Sequence, residues 1–283
     1  MSRVHLDGSP AVHRFKIAAH SLRRRLRWLA EPNTFHAPLR GERFSCSEPI
    51  YSASIPLFRT DSAADPRLEA GKAQNVRLAA AKIHKLQISR DHSFSFWRTV
   101  GRIRKQDGYK AGLEIHGGCL VPSIGGGVCL LSNALFEMAA RLGWIIHERH
   151  GHSKEAVPPE GALWGLDATV MYPYVDLRFA PRSGHCELQA WVTDTHLHVE
   201  AYADAPMTER VELAQHNTPL STGMREGFVV QHRFDAQTGD RLGVHIIAQD
   251  RRHILHVAEQ SRTCFTCNET GCASRERFLA AVQ

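Results

Sequence analysis

The sequence predicts an α+β fold: a cysteine-bearing central helix packed on an antiparallel sheet, with a small β-rich C-terminal part. Three observations carry that expectation. The run Gly125-Gly126-Gly127 opens directly into a helical pattern in which Leu131, Leu135, Met138 and Leu142 share one face, and Gly143 closes it. A second long helical stretch, rich in Ala, Lys and Leu, covers roughly 65–87. Beyond residue 180, short alternating apolar runs follow one another between turn residues, the pattern of antiparallel strands. With 283 residues, 43% of them hydrophobic, the chain can bury a full core. It divides into an N-terminal basic helix and extended segment (1–60), a core (61–200) and a β-rich part with a cysteine cluster (201–283).

The elements follow in order. Residues 1–12 read as a lead-in. From His13 to Ala30 the period is helical, with Phe15, Leu22, Leu26 and Leu29 on one stripe and Arg23, Arg24, Arg25 and Arg27 around it. This segment, 13–30, is expected to dock its stripe on the domain and leave its arginines in water. The other reading of a basic amphipathic helix is peripheral contact with an anionic membrane surface. Pro32 ends the helix, and Ser52 to Arg59 reads as extended. The helix at 65–87 buries Leu68, Val76, Leu78, Ala79, Ile83 and Leu86. Phe94, Phe96 and Trp97 form a buried strand or turn, and Ile115 to Val121 a hairpin around Gly117-Gly118. Ile145 to Glu148 reads as a strand ending in a His-rich turn. Leu166 to Tyr172 and Val175 to Phe179 read as two further strands. His185 to Val192 and Leu197 to Ala203 alternate, and the C-terminal strands lie at 228–234, 244–248 and 253–257, with a turn at Gly239-Asp240.

The formal net charge of +6 accommodates an anionic partner without requiring one. Aromatic residues are too sparse among the arginines for a nucleic-acid surface. No apolar run is long enough to span a bilayer and no signal-peptide pattern opens the chain, so a cytoplasmic protein is expected. Seven cysteines, an odd number, do not describe a secreted disulfide scaffold. Cys264, Cys267 and Cys272 in the tail fit a structural zinc site, a reduced or disulfide-bonded clip, or an iron–sulfur cluster. His253, His256 and Cys186 are the candidate fourth ligands.

Cys129 falls in the first turn of its helix, where the dipole favours a thiolate and free N–H groups can receive an oxyanion. A His-rich turn and then an aspartate on the next strand follow it. Cys129 as nucleophile, His152 as base and Asp167 as orienter make a set with the chain order of transglutaminase-like and papain-like enzymes. His147 and His150 are rival bases. Gly125, Gly126, Gly127, Ser132, Arg149 and Ser153 are expected to line the substrate cleft. No cofactor is needed for such chemistry.

The same residues resemble the VanW family, whose pattern is a Gly-Gly-Gly run, an apolar residue and Cys-Gln, then Glu-Arg-x-x-His-Ser, Asp-Ala-Thr-Val and Asp-Leu. Here these read Gly125 to Cys129, Glu148 to Ser153, Asp167 to Val170 and Asp176-Leu177. Phe94 to Trp97, Val100-Gly101, Gly108 to Gly112 and Gln74-Asn75-Val76 also match. The chain departs from the pattern at Leu130, where the family has Gln. The resemblance implies a link to glycopeptide (vancomycin-type) resistance and a cell-wall peptide or precursor as partner. Two functions follow: cysteine-dependent acyl transfer or hydrolysis on a peptide or related amide, or a non-catalytic accessory module that binds a cell-wall or glycopeptide ligand.

Overall fold

The computed structural model describes residues 10–30, 48–58, 66–116, 119–152, 154–156, 163, 165–221 and 223–255. Helices and mostly antiparallel sheets are mixed, as an α+β chain requires. Strand β1 (Tyr51–Pro56), β2 (Leu86–Ser89), β9 (His185–Val192) and β10 (His196–Ala203) form one sheet in the order β1-β10-β9-β2, antiparallel throughout. Alternation sets its inner face. Leu197, Val199, Ala201 and Ala203 of β10 are buried, and the residues between them are half-buried.

Helices α2 (Pro66–Ile83) and α4 (Cys129–Arg141) complete the core over this sheet. Val76, Ala79 and Ile83 of α2 meet Leu131, Leu135 and Met138 of α4 in one apolar cluster with Leu188 and Leu197. Burying each large side chain of this kind contributes roughly 1.5–3 kcal/mol. Helix α2 stops four residues before the expected 87, because Lys85 turns the chain with φ 63° into β2. Helix α4 has the expected limits, and Gly143 with φ 72° follows it.

A smaller sheet, β3 (Phe94–Ser95), β8 (Arg178–Ala180) and β6 (Ile145–Glu148), stands beside the core, and α3 (Phe96–Val100) continues directly from β3. Asp176 holds this junction: its carboxylate accepts from the Ser95 hydroxyl (2.6 Å) and from Trp97 N (3.1 Å). Strands β4 (Ala111–His116) and β5 (Cys119–Ile124) form the expected hairpin. The C-terminal strands are longer than expected, and the two expected at 244–248 and 253–257 are one strand through Leu255. Strands β11 (Glu209–Ser221), β12 (Met224–Asp235) and β13 (Arg241–Leu255) pair antiparallel, and β7 (Lys154–Ala156) joins β13 in parallel.

Two expectations fail here for physical reasons. The segment 166–172 is extended but pairs with no strand. Its backbone groups go to individual partners: Ala168 N donates to Asn133 Oδ1 (2.8 Å), Ala168 O accepts from Ser132 Oγ (2.6 Å), and Thr169 N donates to His150 O (2.8 Å). Nor does the apolar stripe of α1 (Pro10–Ala30) dock on the domain. Leu22, Leu26 and Leu29 are exposed, and among the described side chains of that helix the buried one is Arg24.

Candidate functional site

Cys129 is the first residue of α4 and half-buried. The glycine turn before it is shaped by close packing. Gly125 and Gly127 take φ of 88° and 96°, and Gly126 lies so close to β4 that a Cβ there would sit 2.3 Å from Gly112 O. Asn75 of α2, fully buried, ties the turn down: its Nδ2 donates to Gly126 O (3.0 Å) and Lys110 O (2.9 Å), and its Oδ1 accepts from Lys110 N (2.8 Å). Gly125 and Gly126 are therefore buried against the hairpin, where an open substrate-facing loop was expected. The turn also occupies the N–H groups of Val128, Leu130 and Leu131, which donate to the carbonyls of Gly125, Gly127 and Val128. Ser132 is fully buried as well, and its hydroxyl bonds Ala168 O rather than facing a cleft.

His152 is the histidine brought to the cysteine. Its Nδ1 lies 2.5 Å from Asp167 Oδ2, and its own N–H donates to the same oxygen (3.0 Å). Burial alone would lower its pKa; hydrogen bonding to Asp167 and to the Cys129 side chain, with the charges of both, raises it to about 9. Of the rival bases, His147 is exposed, and His150 is exposed with its Nε2 turned to Glu148 Oε1 (3.3 Å). Thr169 adds a hydroxyl 4.0 Å from the Cys129 sulfur.

The other oxygen of Asp167 enters a buried charge lattice. Arg149 Nη2 (2.9 Å) and Arg252 Nη1 both pair with Oδ1. The same two arginines pair with Asp250 Oδ2, Arg149 at 2.5 Å. Arg149 also donates to the carbonyls of Asp167 (2.6 Å) and Gly165 (2.9 Å). The arginine side chains are 4% and 1% exposed, so Arg149 holds Asp167 in place and is spent there rather than facing substrate. Burial would raise the pKa of Asp167, but the bond from His152 and the two guanidinium charges hold it far below the carboxylate range. Gly151 makes the lattice fit: a Cβ there would lie 2.2 Å from Arg252 Nη2 and 2.4 Å from Asp250 Oδ1. With His152 protonated, these groups carry one net positive charge, and it adjoins the Cys129 side chain.

Sequence reasoning missed Asp250, Arg252, Thr169 and Asn75. Asp250 and Arg252 stand two apart on one strand, hence on one face, but nothing local marks the aspartate 85 residues from Arg252 as its partner. Ser153, Cys264, Cys267 and Cys272 lie outside the described residues. Cys186, a candidate fourth ligand, is packed in the apolar core, where burial pushes its thiol up to about 12. Among the described residues, no group of three or more His, Cys, Asp or Glu forms a metal cluster. A shallow groove of about 700 Å³ runs between Ile146–Gly151 and Ile246–Asp250, with Arg149 and Asp250 among its walls.

The molecule is thus an α+β protein with a cysteine at a helix start facing a histidine–aspartate pair. The family model described as VanW like protein matches residues 71–202. The chain is 32% identical over 183 residues to the vancomycin B-type resistance protein VanW of Enterococcus faecalis, covering 60% of this chain and 66% of that protein. It is 34% identical over 110 residues to the uncharacterized protein YoaR of Bacillus subtilis, covering 38% of this chain and 35% of that one. The chain therefore belongs to the VanW family, and it spans slightly less than two thirds of the first relative and about a third of the second. No solved structure matches it.

Proposed function

We propose that this protein performs cysteine-dependent acyl transfer or hydrolysis on a cell-wall peptide or related amide, in connection with vancomycin-type resistance. The observation that carries the reading is His152, held by Asp167 on one side and coupled to Cys129 on the other. The order of cysteine, histidine and aspartate supports a transglutaminase-like or papain-like arrangement of the site. In that chemistry the Cys129 sulfur attacks the amide carbonyl and forms the C–S bond. The C–N bond then breaks as His152 gives its proton to the departing amine. Water or a second amine, losing a proton to His152, releases the acyl group. Cys129 N–H, which none of the turn's carbonyls accepts, is the donor that lies on the nucleophile itself and serves the oxyanion. The link to resistance rests on the name of the Enterococcus faecalis relative.

The test is peptide-mapped alkylation by iodoacetamide at neutral pH. Cys129 is expected to react at least about tenfold faster than Cys186, with the advantage lost in His152→Ala. Equal rates at the two cysteines, or a Cys129 rate indifferent to His152, end the catalytic reading.

One residue favours the accessory-module reading. Leu130, standing where the family has Gln, packs against the apolar core and offers no polar group to a substrate. Under that reading a cell-wall peptide binds equally well to the Cys129→Ser protein and is recovered uncleaved from both. The tail carries a separate proposal: Cys264, Cys267 and Cys272 hold a structural zinc, so metal analysis of chelator-free protein should find about one zinc per chain.

A further inference from the structure

Helix α1 is fastened to the molecule by the side of it that sequence would put in water. Arg24, 9% exposed, pairs with both carboxylate oxygens of Glu148 and donates to Tyr174 O (3.1 Å). On the same side the His20 ring stacks on Tyr174 at 6.1 Å, and Arg98 donates to Trp28 O (2.8 Å). The opposite side carries Phe15, Leu22, Leu26 and Leu29, which are 75%, 59%, 57% and 77% exposed. Their spacing puts them on one stripe of the helix. Exposed Arg23 and Arg25 flank it, and the 21-residue helix contains no aspartate or glutamate.

A lone exposed leucine is ordinary, but four large apolar side chains in a row along one helix are an unpartnered surface. The charge around it decides the occupant. A second copy of α1 laid on the first would set arginines against arginines with no acidic residue on the helix to answer them. An anionic bilayer complements both features: acyl chains at the depth of the leucines, and negative headgroups at the rim where Arg23 and Arg25 stand. The helix is too polar to cross, since no helix among the described residues is long and apolar enough to span a membrane. We propose that α1 lies flat in an anionic bilayer surface, apolar stripe inward, and that the Arg24–Glu148 pair fixes the rest of the molecule to it. Glu148 is the neighbour of Arg149, so the attachment point adjoins the charge lattice behind His152. This proposal does not depend on the chemistry assigned to Cys129.

The experiment is sedimentation of the full chain with vesicles of phosphatidylcholine alone or with phosphatidylglycerol. Binding is expected to be at least about tenfold tighter with phosphatidylglycerol and to weaken as salt is raised. The double substitution Leu22→Ser with Leu26→Ser should reduce binding at least about tenfold while the melting temperature holds, because both side chains are already in water. Equal binding to neutral and anionic vesicles would overturn the proposal, as would no binding to either. A concentration-dependent dimer abolished by the double substitution, with no vesicle binding, would assign the stripe to a second copy instead.

Discussion

Burial alone would make His152 a weaker base than free imidazole, yet its contacts with Asp167 and Cys129 raise it to about 9. Because the folded value exceeds the unfolded one, its contribution to stability is present below about pH 6.5 and is lost as pH rises through about 9. Histidine NMR should show one ring titrating near 9, and that ring should fall toward 6.5 in Asp167→Asn. A native titration in which every ring stays near 6.5 would mean that the His152–Asp167 pair does not form in solution. Arg252 tests the other side of the aspartate. Replacing it with Met removes one of two guanidinium partners from both Asp167 and Asp250. We expect a loss of about 3 kcal/mol, the low end for breaking a buried ion pair, because Arg149 still touches both carboxylates. Arg252→Lys should recover only part of this, since an ammonium cannot fork between two carboxylates. Denaturant unfolding measures both.

The glycine turn and α4 show what a local pattern can and cannot convey. Helical periodicity with a glycine stop placed α4 and its buried face, because one helix face is written in the residues of that helix alone. The run Gly125 to Gly127 says that side chains are excluded, but not what excludes them. Here the occupants are the side chain of Ile103, the backbone of β4 and the side chain of Lys72, which only the folded chain brings near. The segment 166–172 reads as a strand for the same reason: extended backbone is legible, whereas its partners are the side chains of Ser132 and Asn133 on a helix and the carbonyl of His150. Gly126→Ala tests this packing, since the new methyl would meet backbone that cannot rotate away. A cost of about 3 kcal/mol, the upper end for overpacking, is expected in thermal or urea unfolding. Asn75→Ala, which takes the side-chain donor from buried Gly126 O and the acceptor from Lys110 N, should cost about 1–3 kcal/mol. A neutral result for Gly126→Ala would mean that the turn stands off β4 in solution.

Across the whole molecule, both flanks are fastened to the core by charge. Arg24 joins α1 to Glu148 across 124 residues, and Arg252 joins β13 to Asp167 across 85. Such pairs are invisible in sequence because charge carries no address. The family match covers residues 71–202, so Arg24, Asp250 and Arg252 all lie outside it and supply what holds the matched segment's Glu148 and Asp167. Their pH dependence follows by sign. Burial would raise Glu148, but hydrogen bonds from His150 and Arg24 and the Arg24 charge bring it down to about 2. A depressed carboxylate stabilises the fold above its unfolded value, near 4.5, and that contribution disappears as pH falls through about 2; Asp167 has the same sign. Asp176 has the opposite sign: burial raises it to about 6, so its contribution is full below about 3.8 and lost as pH climbs through 6. With His152 failing toward 9, these four groups place maximal stability near about pH 4.5, where the gain from Glu148 and Asp167 gives way to the loss from Asp176. Thermal melts across the pH range should show that dome. Glu148→Gln should lower its top and flatten its acid limb, and Asp176→Asn should remove the decline that begins between about 4 and 6. If the acid limb of Glu148→Gln coincides with that of the unaltered protein, the Arg24–Glu148 pair is not what fastens α1, and the attachment must run through Trp28 and His20 alone.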